Sequence, residues 1–186
     1  ERALVNLLRW YDHRALVFCA TRAAVARLHG NLTERGFNAV ALSGELTQAE
    51  RNRALQSLRD GRAQVCVATD VAARGIDLPD LGLVVHAELP RDRETLQHRS
   101  GRTGRAGRKG TAVLLVPYTR RRIAERLLAS ARIAATWAPP PSAEEIRTRD
   151  GERLLREAGE AATAVAAEPD ALALGRTLLE SHGAEA

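Results

Sequence analysis

The sequence predicts an α/β fold, a parallel sheet flanked by helices and followed by a small helical extension. Three observations carry this expectation. Five short apolar runs, ALVFCA, NAVAL, QVCVAT, LVVHA and TAVLLV, show no alternation of polar and apolar residues. Strands of that kind are buried on both faces, as in parallel sheets. The segments between them carry apolar residues at helical spacing, the order that builds a doubly wound layer. Finally, 186 residues with 45% hydrophobic content suffice for one well-buried domain and an appendage, though not comfortably for two domains.

The elements follow in order. RALVNLLRWY places Leu4, Leu7, Leu8 and Tyr11 on one helical face. ALVFCA is the first strand. Thr21 then opens a helix in which Ala24, Val25, Leu28 and Leu32 recur at three and four, and Gly36 stops it. After NAVAL, the segment TQAERNRALQSLRDG begins with Thr47 and Glu50 at capping-box spacing and ends on Gly61. QVCVAT, LVVHA and TAVLLV are the remaining strands, with RDRETLQHRSG as a helix between the last two. TRRRIAERLLASA is a further helix. The three consecutive prolines of WAPPPS mark a spacer. The expected organisation is therefore a first domain over residues 1–137, a Pro-rich linker over 138–141 and a helical extension over 142–186. In the extension, SAEEIRTRDGERLLREAGE carries Glu144 and Glu145 in its first turn, which suits the helix dipole. AGEAATAVAAE is rich enough in alanine to read as helix or as flexible chain. DALALGRTLLESHG, after the break at Pro169 and Asp170, reads as another helix ending at Gly183.

Composition narrows the partners. Aromatic residues are 3% of the chain, so the core must be aliphatic. The net charge is +5, and Lys109 is the only lysine, so the basicity is arginine. Guanidinium groups present a planar fork of donors suited to phosphate. An anionic partner fits this composition, as does a GC-rich genome that inflates Arg and Ala. Cys19 and Cys66 sit inside apolar runs without a CxxC neighbour, which indicates buried reduced thiols and no metal site. Nothing marks export or a membrane span, so the cytoplasm is the expected location. The chain starts at Glu1 without a methionine, as an excised piece of a longer protein would.

The densest charge lies in HRSGRTGRAGRKG, residues 98–110, with four arginines, one lysine and four glycines. Arg/Gly tracts often serve as flexible nucleic-acid tethers. This one is short and leads directly from a helix into the strand TAVLLV, where disorder is hard to accommodate. His98, Arg99, Arg102 and Arg105 recur at intervals of one, three and three, and Gly101, Gly104 and Gly107 let a ligand or another backbone come close. Crowded like charges require an anion, and a triphosphate is the natural candidate. In phosphoryl transfer an inserted guanidinium is worth about 10³–10⁵ in rate. Ligands of doubly wound sheets gather at the carboxyl ends of strands, which singles out the loops ATRAA, LSGEL and ATDVAARGID.

HRSGRTGRAGR resembles motif VI of the DEAD-box RNA helicases, usually HRxGRTGRxGR. VATDVAARGID is similar to motif V of that family, SGELTQAER to its QxxR-bearing motif and VFCATR to its motif IV. The four occur in family order and spacing between residues 15 and 116. The resemblance implies the second RecA-like domain of such a helicase. It implies that Arg102 and Arg105 reach the phosphates of ATP as catalytic arginine fingers, and that Gly75 and Asp77 adjoin the nucleotide, Asp77 at the ribose. Thr21, Gly44, Arg51 and Thr69 would contact RNA, and Asp70, Arg74, His98 and Arg99 would couple the two ligands. Taken locally, Thr21 also reads as a helix N-cap, Arg51 as a solvated helix residue and Asp77 as a turn former before Pro79. Two positions depart from the pattern: Ser43 stands where His is commoner, and Ser100 where an aliphatic residue is usual.

The chain lacks a GxxxxGK[ST] loop and an Asp-Glu-Ala-Asp sequence, so ATP and its Mg²⁺ would be held by a first domain outside this chain. Alone, the chain is expected to be inactive. Single-stranded or duplex RNA and that first domain are the expected partners. SAEEIRTRDGERLLREA is also similar to the start of the dimerisation module of bacterial cold-shock DEAD-box helicases. Leu172, Leu174, Leu178 and Leu179 would then form a partner-facing stripe for a homodimer through 142–186, or would fold back on the domain. Two other function classes stay open on sequence: a non-catalytic interaction module, and a DNA-directed helicase, against which the HRSGRTGR form of motif VI argues.

Overall fold

A computed structural model describes residues 1–74, 81–104 and 109–165, with side chains through 162. All five expected strands form: β1 Ala15–Cys19, β2 Ala39–Leu42, β3 Val65–Thr69, β4 Leu83–His86 and β5 Thr111–Leu114. They pair in the order β2-β3-β1-β4-β5, and every pairing is parallel. β1, β3 and β4 are buried at every position, whereas β2 and β5 form the partly exposed edges. This explains the absence of alternation: a central strand with helices on both faces has no side that meets water.

The helices are α1 Arg2–Tyr11, α2 Arg22–Glu34, α3 Gln48–Arg59, α4 Asp70–Ala73, α5 Arg93–Ser100, α6 Arg121–Ala131 and α7 Ala143–Val165. Leu4 and Leu8 of α1 and Val25, Leu28 and Leu32 of α2 pack on Val17, Val67 and Val85 on one face of the sheet. On the other face, Leu55 and Leu58 of α3 and Ala72 and Ala73 of α4 meet Leu16, Phe18, Cys66 and Val84. Leu96 of α5 and Leu127 and Leu128 of α6 pack with Leu114. Leu114 stands opposite His86, which stands opposite Phe18, so α5 and α6 share the face of α3 and α4. Each fully buried leucine contributes roughly 1.5–3 kcal/mol. Truncating Leu32, at 1% exposure, to alanine would cost about 2–5 kcal/mol.

Local signals act as the sequence expects. Thr47 accepts from the Glu50 amide at 3.3 Å while the Thr47 amide donates to the Glu50 carboxylate at 2.8 Å, the reciprocal capping box of α3. That contact holds the Glu50 carboxyl below the ordinary range. Gly36 and Gly61 take φ of 82° and 74° after α2 and α3, a conformation open to glycine. Two elements lay outside the sequence reading, the single turn α4 and a 3-10 turn over Tyr118–Arg120. The latter puts the start of α6 at Arg121. Both thiols are buried and free, and burial pushes Cys66 up to about 12 and Cys19 up to about 11.

The chain divides into two compact units, 1–141 and 142–186. In the first, the Asn6 amide donates to the Pro141 carbonyl at 2.7 Å, so the proline segment ends anchored to α1. In the second, Ser142 and Glu145 form a reciprocal cap at the start of α7, at 2.7 and 3.1 Å. α7 continues through the alanine-rich stretch to Val165. The stripe of Leu172, Leu174, Leu178 and Leu179 lies outside the described residues. Among the described residues, no helix is long and apolar enough to cross a membrane.

Candidate nucleotide and nucleic-acid site

The carboxyl ends of β1, β2 and β3 present Thr21, Gly44 and Thr69 along one edge of the sheet. Thr21 caps α2, its hydroxyl accepting from the Ala24 amide at 3.1 Å. Thr69 caps α4 in the same way, accepting from Ala72 at 3.4 Å. Capping does not exclude phosphate binding. A hydroxyl has one proton to donate and two lone pairs, and the cap uses a lone pair only. Each threonine can therefore cap a helix and donate to a phosphate oxygen, a contact that reads no base. Gly44 is exposed, and a Cβ there would meet nothing within 4 Å. Among the described residues no contact demands glycine at that position, which leaves close approach by a ligand backbone as a physical reason for it. The Arg22–Glu45 ion pair, at 2.7 Å, links the loops after β1 and β2.

Arg51 occupies a different environment from a solvated helix arginine. It is half-buried, and its guanidinium crosses from α3 to donate to the carbonyls of Ala72 at 2.8 Å and Arg74 at 3.3 Å. Those carbonyls end α4, where backbone acceptors lack helical partners. Arg51 thereby holds the segment that follows Thr69. The Arg74 side chain is exposed.

A buried polar cluster ties this segment to the arginine-rich one. Arg99, with 4% of its side chain exposed, donates to both carboxylate oxygens of Asp70, at 2.6 and 2.7 Å. A third donor reaches the Glu88 carbonyl at 3.1 Å, and the guanidinium lies 5.1 Å from the centre of the Phe18 ring. The Glu88 carboxylate accepts from the Ala20 amide at 3.1 Å, which closes the network onto the loop carrying Thr21. Beside it, His86 on β4 is fully buried and its Nε2 lies 3.2 Å from the Ser100 hydroxyl. Among the described residues, its Nδ1 has no hydrogen-bond partner. Burial, and then the Arg99 charge, push its pKa down to about 3, with Asp70 pulling the other way. Farther along, the Thr103 hydroxyl donates to the Leu81 carbonyl. The segments after β3 and at the end of α5 are thus joined at both ends, by Asp70–Arg99 and by Leu81–Thr103.

The sequence-predicted residues divide accordingly. Asp70 and Arg99 come together. Arg102 is half-buried in the turn after α5, with its amide donating to the Arg99 carbonyl at 3.1 Å, and Gly104 takes φ of 69° two residues on. His98 is exposed on α5. Gly75, Asp77, Arg105 and Gly107 lie outside the described residues. The sequence reading did not single out Phe18, His86, Leu81, Glu88 or Thr103. The loop after β4 was a readable signal, because HAELP leaves the same edge of the sheet as the three loops chosen. Ser100, a departure from the usual pattern, has a local reason: an aliphatic side chain could not pair with His86. Ser43 keeps a turn role through its carbonyl, which accepts from Leu46 at 3.4 Å. Among the described residues, no group of three or more His, Cys, Asp or Glu could hold a metal ion. The donor set centres on guanidinium and hydroxyl groups, which suits phosphate.

Comparison with known proteins agrees with this geometry. Residues 1–107 match the helicase conserved C-terminal domain. The ATP-dependent RNA helicase SrmB of Escherichia coli is 50% identical over 114 residues, covering 61% of this chain and 26% of SrmB. The ATP-dependent RNA helicase DeaD of Buchnera aphidicola is 35% identical over 156 residues, 83% of this chain and 26% of that protein. The chain thus spans about a quarter of the length of these relatives. Among solved structures, E. coli SrmB bound to the regulator RraA superposes with a TM-score of 0.66 at 41% identity, covering 78% of this chain and 84% of that one. S. cerevisiae Dbp5 bound to RNA and ADP BeF3 superposes with a TM-score of 0.68 at 31% identity, over 81% of this chain and 41% of that one. Sheet order, buried cluster and these matches converge: the chain belongs to the DEAD-box RNA helicases and carries their C-terminal RecA-like domain.

Proposed function

We propose that this chain is the arginine-finger half of an ATP-dependent RNA helicase acting in the cytoplasm, inactive until a first RecA-like domain supplies ATP and Mg²⁺. The observation that carries this reading is the pairing of Asp70 with Arg99, which holds the Thr69 segment and the Arg102 turn side by side on one face. Bound ATP supplies the phosphoryl group that is transferred to water. Arg102 and Arg105 meet the charge that grows on it, and Gly75 and Asp77 border the nucleotide. Thr21, Gly44 and Thr69 take RNA phosphates, while Arg51 adjusts the Thr69 loop through the Ala72 and Arg74 carbonyls. Because one rigid cluster links both sets, closure on nucleotide and grip on RNA are coupled. Arg74 and His98 are exposed on the two joined segments, where an arriving domain or ligand can meet them.

The test joins this chain covalently to the first domain of a DEAD-box helicase and measures ATP turnover with and without RNA. RNA-stimulated turnover is expected. Arg105→Ala or Arg102→Ala should lower it by about 10³ or more while RNA binding persists. Undiminished turnover in both variants would overturn the assignment. A second role follows from α7, where Leu154 and Leu155 are exposed apolar residues: self-association through 142–186. Sedimentation of the chain against a 1–141 truncation tests it, and a concentration-independent monomer in both removes it.

A further inference from the structure

A second basic surface lies at the end of the sheet, around the turn that follows β5. Tyr118 is 89% exposed, in a chain where aromatics are rare. Arg120, Arg121 and Arg122 follow it, all exposed, with no acidic residue in the first turn of α6 and no side-chain cap from Arg120. Arg121 is accounted for: it pairs with Glu125 at 3.0 Å and lies 4.8 Å from the centre of the Trp137 ring. Arg120 and Arg122 make no ion pair among the described residues. Several other surface arginines do: Arg22, Arg62, Arg91 and Arg93 each have a carboxylate. Positive side chains at a helix N-terminus oppose its dipole, and Arg122 faces Arg126 at i,i+4, a repulsive pair. An anion beside Arg120 and Arg122 would relieve both unfavourable terms.

Placement and chemistry identify the anion. Leu114 of β5 is level with His86 of β4, and His86 with Phe18 of β1. Tyr118, four residues past Leu114, therefore leaves the same edge as Thr21, three past Phe18. β4 alone separates the two strands, a lateral offset of about 10 Å. An acidic protein would be served by the arginines alone. A fully presented aromatic ring beside unpaired guanidiniums is the combination that stacks a base and neutralises its flanking phosphates. We infer that Tyr118, Arg120 and Arg122 form an auxiliary contact for single-stranded RNA, beyond the Thr21–Thr69 edge. It extends the RNA reading above without resting on those two threonines.

The experiment titrates a labelled 20-nucleotide oligouridylate with the full chain and follows anisotropy across salt concentrations. The variants are Arg120→Gln with Arg122→Gln, Tyr118→Ala, Tyr118→Phe and Thr21→Ala. Losing two phosphate contacts should lower the salt slope by about 1.4 and weaken binding roughly 20-fold at 0.1 M salt. Tyr118→Ala should weaken it about tenfold, whereas Tyr118→Phe keeps the stacking face and the affinity. An unchanged slope in the double variant, or unchanged affinity in Tyr118→Ala, overturns the proposal. If Thr21→Ala weakens binding and the patch variants do not, the patch fails and the edge reading stands. The reverse result keeps the patch and removes the edge, and a parent chain that binds no RNA removes both.

Discussion

Arg99 grips both oxygens of Asp70, at 2.6 and 2.7 Å, from a position where 4% of its side chain reaches solvent. The first arginine of the cluster is therefore spent inside the protein, its charge matched by an acid on another segment. Arg102, three residues on, is only half-buried.

Asp70→Ala leaves the Arg99 charge buried without its carboxylate. Breaking such a pair on one side costs about 3–5 kcal/mol. The low end applies because 34% of the Asp70 side chain is exposed. Thermal unfolding followed by circular dichroism should show a fall of roughly 10 °C. A Tm within 2 °C or so of the parent would mean that the pair does not hold the segments together.

His86 makes the domain acid-sensitive. Its folded pKa is lowered to about 3, from an unfolded value of about 6.5, by burial and by Arg99, against the opposing pull of Asp70. Below pH 6.5 or so the unfolded chain binds the proton and the folded chain does not, so stability falls with acid. The stabilising contribution is complete above that pH and is lost progressively down to about pH 3. Urea titrations at pH 7.5 and pH 5 should show this loss, and His86→Asn should flatten it. Equal pH dependence in both proteins would exclude His86 as the cause.

Arg51→Ala should lower stability in the absence of any RNA, because the Ala72 and Arg74 carbonyls lose a charged donor. A hydrogen bond to a charged group is worth about 1.5–3 kcal/mol, and the partial exposure of Arg51 favours the lower figure. Chemical denaturation of the free chain reads this directly. If RNA affinity alone fell, Arg51 would be a ligand contact and not a brace.

Two glycines should respond oppositely to alanine. At Gly110 an added Cβ would overlap the Thr103 side chain and the Gly104 backbone. Gly110→Ala should cost about 1–3 kcal/mol by overpacking and displace the turn that carries Arg102. At Gly44 the same methyl meets open space. Gly44→Ala should leave unfolding unchanged and weaken RNA binding. Comparing melting and RNA anisotropy for the two variants tests both assignments together.

Much of this protein is local and therefore readable along the chain. Periodicity marked the strands ALVFCA and QVCVAT, the helix faces of Leu4, Leu8, Leu28 and Leu32, and the Thr47–Glu50 capping box, because each depends on neighbours within a turn or a strand. The resemblance to the family's motifs V and VI implied one network of Asp70, Arg74, His98 and Arg99, of which Asp70 and Arg99 pair directly. What sequence could not supply is the company kept across the fold. Strand order β2-β3-β1-β4-β5 brings Phe18, Asp70, Glu88 and Arg99 into one cluster. The partner of Ser100, His86, and the two α4 carbonyls that Arg51 reaches were not legible along the chain. Helix and strand periods are written in adjacent residues, whereas the fate of a buried charge depends on partners that the chain delivers from tens of residues away.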